Sequence, residues 1–347
     1  MNSKQLMKRV KQGPALIVAE ISANHGNNFK RAVTLIKKAK ECGADAVKFQ
    51  VFTPDTLTIN ADNKYFRLRH PKWGGQTLYQ LYEKAYMPWR WLKELKKIAD
   101  ELGILFFATA FDKSAVDFLE EMNVPLHKIA SFEFNDLPLI AHAARTKKPL
   151  ILSTGMATKM EIKEAMETVK KTGAKDIILL KCVSSYPADP SGMNLRTIPD
   201  MRQHFKCPVG LSDHTLGIAA AIGAVTLGAC LIEKHFVLTR KRETLDSFFS
   251  IEPEELQLLV DNVRIVEKAL GGVRYGLTSK EKNSCIFRRS LFAVEDIKKG
   301  ELFTETNVRS IRPGYGLPPK NITKVLRKRS VRNIKRGNPI QWDHINL

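Results

Sequence analysis

ALIVAEISANHGNNFKRAVTLIKKAKECGADAVKFQVF, residues 15–52, is the stretch on which the fold turns. Its first apolar run, Ala15–Ala23, reads as a strand, and so does its last, Ala46–Phe52. Between them lies Phe29–Cys42, where Val33, Leu35, Ile36 and Ala39 recur at helical spacing. Gly43 follows, where a left-handed helix cap is wanted. Strand, helix and strand in so short a span make a βαβ unit, and such units imply parallel strands. The turn after the first strand reads Ser22-Ala23-Asn24-His25-Gly26, without the Gly-x-Gly-x-x-Gly fingerprint of a dinucleotide-binding open sheet.

Outward from this unit the pattern repeats. Further β-like segments are Leu105–Phe111, His127–Glu133, Pro149–Gly155, Asp176–Ser184, Cys207–Asp213 and Leu231–Phe236. Amphipathic stretches lie between them, among them Trp89–Leu102 and Met156–Thr172, each followed by glycine (Gly103, Gly173). Eight such repeats over roughly 250 residues predict a (β/α)8 TIM barrel at residues 1–270. The nearly apolar run Ile218–Ile232 falls short of the roughly 20 residues that cross a bilayer, and reads as a buried helix entering a buried strand. After Gly271-Gly272 the composition changes. Residues 271–347 carry 17 Lys or Arg against 6 Asp or Glu, a net +11 of the chain's +20. Short apolar segments there (Ser290–Val294, Val308–Ile311, Ser330–Ile334) predict a linker over 271–289 and a small β-rich domain over 290–347.

The 347 residues are 44% hydrophobic and 27% charged, which fits a folded protein and excludes a disordered, collagenous or disulfide-stapled chain. The +20 charge invites three partners: nucleic acid, an anionic surface or a small polyanionic substrate. Five cysteines (Cys42, Cys182, Cys207, Cys230, Cys285) stand singly, which argues for reduced thiols. The apolar stretch Leu16–Ala19 is too short for a signal-peptide core, so a cytoplasmic, membrane-free protein is expected.

In such a barrel the active site lies at the C-terminal ends of the strands, and here every strand end is polar. Glu20, Ser22, Asn24 and His25 end the first. Lys48 and Gln50, two apart and so on one face, end the second. Thr109, then Ser131 and Glu133, then Ser153 and Thr154 follow. Lys181, Ser184 and Ser185 end the sixth, Ser212, Asp213 and His214 the seventh, and Glu233, Lys234 and His235 the eighth. A lone Ser or Thr at a strand end is more often a helix cap than a ligand. Two histidines ending consecutive strands are different, because adjacent strands lie about 4.8 Å apart. His214 and His235 are therefore a candidate pair for a divalent metal, held loosely by two protein nitrogens with positions open to water or substrate. Lys48, Lys128, Lys181 and Lys234, with the hydroxyls of Thr109, Ser131, Ser153, Ser184 and Ser212, form a cationic mouth suited to a small phosphate-bearing anion. Lys128 is out of phase with Ser131 and Glu133 and joins them only if the strand bends. Glu20 and Glu133 are the candidate carboxylates for proton transfer, with Phe132 and Phe134 placed to raise a carboxylate pKa by desolvation.

Ala19-Glu-Ile-Ser-Ala-Asn-His25, Lys48-Phe-Gln50, Lys128-Ile-Ala-Ser-Phe-Glu133, Ser153-Thr-Gly-Met156, Gly210-Leu-Ser-Asp-His-Thr215 and Glu233-Lys-His-Phe236 together resemble the sialic acid synthase family. Arg288-Arg-Ser-Leu291, Asp296-Ile-Lys-Lys-Gly300 and Arg312-Pro-Gly-Tyr-Gly316 resemble that family's antifreeze-like (SAF) domain. Ser131-Phe132-Glu133 and Asp246-Ser247 look closer to its pseudaminic acid synthase branch than to its N-acetylneuraminate branch. The resemblance implies a transferase that condenses phosphoenolpyruvate with an open-chain acetamido sugar, releasing phosphate. It maps manganese or magnesium onto His214 and His235, and phosphoenolpyruvate onto Lys48, Thr109, Lys128, Ser131, Ser153, Ser184 and Ser212. The sialate branch often has asparagine where Ser184 stands. Gln50, Tyr186 and Asp246 map onto sugar contacts. Arg312 maps onto an arginine that reaches a neighbouring subunit's barrel, which implies a domain-swapped homodimer.

Three other readings fit parts of the sequence. A Schiff-base aldolase would use Lys48 or Lys181. Nucleic-acid binding would use the basic run Lys324–Lys335, which lacks interleaved aromatics and a recognition helix. Carbohydrate binding by the C-terminal domain would leave the barrel-mouth residues without a purpose.

Overall fold

Eight parallel strands close into a barrel in chain order: β1 Leu16–Glu20, β2 Ala46–Val51, β3 Leu105–Ala110, β4 His127–Ile129, β5 Leu150–Ser153, β6 Ile177–Cys182, β7 Val209–Asp213 and β8 Leu231–His235. They belong to a computed structural model that describes residues 1–69 and 72–346. All eight strands expected from the apolar runs are present. The chain forms two units, Met1–Gly271 and Gly272–Leu347.

The strands' two-residue period sorts their side chains into two layers. Leu16, Val18, Ala46, Leu105, Phe107, Ile151, Ile178, Leu180 and Leu231 pack inside the barrel. Ile17, Ala19, Val47, Phe49, Phe106, Leu179 and Ile232 face the surrounding helices, whose buried stripes include Leu35, Ile36 and Ala39 of Phe29–Glu41 and Leu92, Leu95 and Ala99 of Arg90–Glu101. The expected helix ends hold: Gly43, Gly103 and Gly173 have φ of +82°, +65° and +81°. Ala219–Thr226 is a helix that leads into β8, as read for the apolar run.

One element was not foreseen. Ser3–Gln12 is an amphipathic helix capped by the Asn2 side chain. Its Leu6, Met7 and Val10 join the interior cluster beside Leu16 and Leu231, at the strands' N-terminal ends. This helix stoppers the barrel floor and leaves the opposite mouth for polar groups.

Barrel closure sets the register at the mouth. Glu20 of β1 pairs with Lys48 of β2 on one side and His235 of β8 on the other. Gln50 pairs with Thr109, and Thr109 with Lys128. Ser212 pairs with Cys182 and with Glu233.

The second unit is built on β9 Ser290–Ala293 and β10 Val308–Ile311, an antiparallel pair in which Val308 faces Ala293 and Ile311 faces Ser290. Leu291, Ile297, Phe303, Val308, Leu317, Ile334 and Ile340 form its core. Ser330–Ile334, expected to be β-like, makes isolated bridges, among them Ile297 to Ile334. Arg312 follows β10 in this unit. Among the described residues no helix is long and apolar enough to cross a membrane.

Candidate active site

Inward-facing positions above the apolar layers carry charge. Lys48 Nζ lies 2.8 Å from Glu20 Oε2, 2.9 Å from Thr109 Oγ1 and 3.6 Å from Glu233 Oε1, all fully buried or nearly so. Gln50 Nε2 donates to Glu20 Oε1 at 2.8 Å, and Ser212 Oγ to Glu233 Oε1 at 3.1 Å. Burial pushes the Glu20 carboxyl up; Lys48 opposes the rise and Glu233 adds to it. Burial also acts on Glu233, but Lys128 and Lys48 outweigh it and hold that carboxyl below its usual range. Two carboxyls in one cluster are thus driven apart, the arrangement that separates acid from base roles. Lys128 is buried among the same charges, its Nζ donating to the Ile129 carbonyl, and burial lowers its pKa. β4 stops at Ile129, so the expected conflict of phase with Ser131 and Glu133 does not arise: these two sit on the turn beyond the strand.

That turn supplies the next group. Gly155 N–H donates to Ser131 Oγ at 3.1 Å. A Cβ at Gly155 would fall 2.2 Å from Ser184 Oγ and 2.6 Å from Ser131 Oγ, so two hydroxyls close around a bare backbone. The Ser153 and Ser184 hydroxyls, Glu133 Oε2 and Glu233 Oε2 are buried without a hydrogen-bond partner. Unpaired buried polar atoms are costly in a folded chain, and their concentration here marks a place for a ligand. Burial raises the Glu133 pKa from 4.5 to about 7 against the pull of Lys128. Phe134 is buried as expected, whereas Phe132 is 57% exposed and does not contribute to that desolvation.

The histidines face each other across β7 and β8, with ring centroids 5.4 Å apart. His214 Nδ1 lies 2.8 Å from the Val183 carbonyl, and His235 Nδ1 3.1 Å from Ser22 Oγ. The Val183 carbonyl can only accept, so it fixes the proton on His214 Nδ1 and leaves Nε2 as a lone-pair donor. With His235 Nδ1 held by Ser22, each ring has its Nδ1 anchored by a hydrogen-bond partner and its Nε2 left to ligate, the usual arrangement of a metal-binding histidine. Burial and the surrounding cations hold the His235 pKa well below 6.5, which keeps the imidazole neutral as a ligand must be. Among the described residues no three His, Cys, Asp or Glu side chains form a cage, so the pair offers two protein ligands. Asp246 accepts from Ser22 Oγ at 2.6 Å and lies 4.0 Å from His235 Nδ1. The Tyr186 ring packs, tilted, with its centroid 4.4 Å from that of His214 and 5.1 Å from that of Phe249. A cavity of about 710 Å³ opens by the loop carrying Asp246, lined by Arg31, Trp73, Arg242, Thr244 and Phe248.

Two expected mouth cations lie elsewhere. Lys234 and Lys181 each sit one residue out of phase with the interior set. Lys234 is buried on the outer face against Asp213, and Lys181 is half-buried with Nζ donating to the Cys182 carbonyl. The two-residue period contained this correction, because Glu233 and His235, which flank Lys234, point inward. The same period puts Cys182 inside with Leu180. Burial raises its thiol pKa, but the contacts with His214 and Ser131 and the nearby Lys128 bring it down to about 7. The Ser22 link between Asp246 and His235, and the Phe249 wall, had no sequence signal.

Residues 35–275 match the NeuB family and residues 288–346 the SAF domain. The chain belongs to the NeuB family. Within it, pseudaminic acid synthase from Campylobacter jejuni is 43% identical over 325 residues, covering 94% of this chain and 95% of that protein. Pseudaminic acid synthase from Helicobacter pylori is 40% identical, covering 96% and 98%. Among solved structures, the N-acetylneuraminic acid synthetase of Leptospira borgpetersenii superposes with a TM-score of 0.70 at 33% identity, over 78% of this chain and 90% of that one. This NeuB-family chain therefore combines a (β/α)8 barrel with a SAF domain.

Proposed function

We propose that the chain is a pseudaminic acid synthase, condensing phosphoenolpyruvate with 2,4-diacetamido-2,4,6-trideoxy-L-altrose and water to give a nine-carbon 2-keto acid and inorganic phosphate. The observation that carries this reading is the mouth itself. Two buried lysines, Lys48 and Lys128, stand among buried polar oxygens on Glu133, Ser153, Ser184 and Glu233 that have no partner.

Phosphoenolpyruvate brings a phosphate and a carboxylate, and these need fixed positive charge and donors. Lys48, Lys128, Thr109, Ser131, Ser153, Ser184 and Ser212 supply them from seven positions around the barrel, holding the enol carbon in near-attack geometry. Gln50, Tyr186 and Asp246 orient the sugar. His214 and His235 would hold manganese or magnesium, which would supply Lewis acidity toward the aldehyde oxygen. Carbon 3 of phosphoenolpyruvate bonds to the aldehyde carbon, water adds at carbon 2, and the bond from carbon 2 to the phosphate oxygen breaks. Glu133, with a pKa of about 7, is the principal proton-transfer group at that oxygen and that water. Glu20 is the second, restrained by Lys48 and Gln50. Arg312 of a second copy completes the sugar site in a domain-swapped homodimer working in the cytoplasm.

The test is phosphate release from phosphoenolpyruvate with three acceptors: the altrose-configured sugar, N-acetylmannosamine, and the diacetamido sugar that leads to legionaminic acid, each with and without manganese. The altrose sugar should give the highest kcat/KM. Equal or better turnover with either competitor would reassign the substrate, and no release with any of them would overturn the synthase reading.

A further inference from the structure

Asp213 and Lys234 form a buried ion pair at the C-terminal ends of their strands, on the outer face of the barrel and pointing away from its interior, and the proposed reaction does not use it. Their side chains are essentially inaccessible, and Lys234 Nζ lies 2.7 Å from Asp213 Oδ2 and 2.6 Å from the Thr215 carbonyl. The other carboxylate oxygen, Asp213 Oδ1, accepts from Thr215 N–H at 2.9 Å and from Thr215 Oγ1 at 2.8 Å. Every partner lies beside a candidate metal ligand. Asp213 and Thr215 flank His214, and Lys234 precedes His235.

We propose that Asp213, Thr215 and Lys234 are positioning residues that set the separation and aim of the His214 and His235 rings; this rests on the two-histidine metal site proposed above. The physical case begins with the chain path. β7 ends at Asp213 and β8 at His235, and the ladder between them pairs Asp213 with Lys234 as its last rung. His214 therefore lies beyond the ladder with β8, in a loop whose backbone is held on the other side, where Ala188 N–H donates to the His214 carbonyl at 2.9 Å and Ala188 bridges Thr215. The bonds from Thr215 to Asp213 fold this loop back over its own strand, and the lysine ties the turn to the neighbouring strand. Three side chains thus join the loop to β8 where the β7–β8 ladder runs out. The Val183 and Ser22 contacts then set each ring's rotation. A buried ion pair adds little net stability compared with an apolar pair of the same shape, but holds a specific geometry. That is what two ligands without a third need.

Manganese binding to the full-length protein tests the inference, read by calorimetry and by the paramagnetic signal of the ion, with no turnover involved. Removing one partner would strand a buried charge, so the main variant is the neutral double substitution Asp213→Asn with Lys234→Met. Its manganese Kd should rise about 10- to 100-fold, the usual effect of second-shell changes, while phosphoenolpyruvate binding without metal stays as in the parent protein. Thr215→Val removes a single hydroxyl and should weaken manganese in the same direction by a smaller factor; it serves if the double variant does not fold. Parental manganese affinity in a folded double variant, or in Thr215→Val when only that variant folds, would overturn the clamp. Manganese binding by the parent that His235→Ala leaves unchanged would instead overturn the two-histidine site and the clamp with it.

Discussion

Replacing Glu133 with glutamine should make the protein more stable at pH 8 and nearly inactive. Glu133 Oε2 is buried without a hydrogen bond, and Tyr82 and Tyr186 both feel its charge. Burial is the main cause of its rise from 4.5 to about 7, with Lys128 giving partial compensation. The native state therefore binds this proton more tightly than the unfolded chain does. Below pH 4.5 the carboxyl is protonated in both states and costs nothing. Between pH 4.5 and 7 the unfolded state ionises while the native state does not, and stability falls as pH rises. Above pH 7 the loss is complete, at roughly 3 kcal/mol for 1.36 kcal/mol per pH unit. Glu133→Gln removes the ionisation, so the two proteins should have similar stability near pH 4.5 and diverge by up to about that amount at pH 8. Thermal melts across this range are the assay, with roughly 2–4 °C of Tm per kcal/mol expected for a unit of this size. Loss of proton transfer should lower kcat by about 10²- to 10⁴-fold. Parallel stability curves from pH 4.5 to 8 would refute the buried, unpaired carboxyl, whatever happened to activity.

Three further experiments have expected outcomes. His235→Ala should abolish metal-stimulated turnover and make the enzyme insensitive to chelator; a variant as active as the parent in the presence of chelator would remove the metal from the reaction. Gly155→Ala forces a methyl group against Ser131 and Ser184. It should lower kcat/KM for phosphoenolpyruvate by about 100-fold, on the scale of a 1 Å misplacement, and parental kinetics would show that these hydroxyls do not hold the substrate. Arg312→Ala and Glu133→Gln, each inactive alone, should regain activity when dissociated and reassembled together, because a mixed dimer of the proposed swapped form would have one intact mouth. Failure of mixed dimers to recover any activity would refute the swapped arginine.

Particular residues show how far the sequence could be read. Lys48 and Gln50 share a face because a strand repeats every two residues, and that rule was legible in the sequence; Glu233 and His235 share one for the same reason, although the sequence alone left Lys234 beside them at the mouth. Applied strictly, it would also have moved Lys181 and Lys234 outward and brought Cys182 in. Ser131 and Glu133 escaped it because β4 ends early, at Ile129, and a turn has no period to read.

The sequence by itself determined the alternation of strand and helix, the eight-strand count, the basic C-terminal domain and which residue types end each strand. These follow from local periodicity and from turn chemistry, which act over a few residues. Only the tertiary structure decided that Glu20 meets His235, since that contact needs the last strand to close onto the first. It likewise decided that Lys48 sits between two carboxyls of opposed pKa, that Ser131 and Ser184 converge on Gly155, and that Lys234 clamps a loop instead of meeting a ligand. Charge and burial at a site depend on neighbours far apart in the chain, and barrel closure is what makes them neighbours.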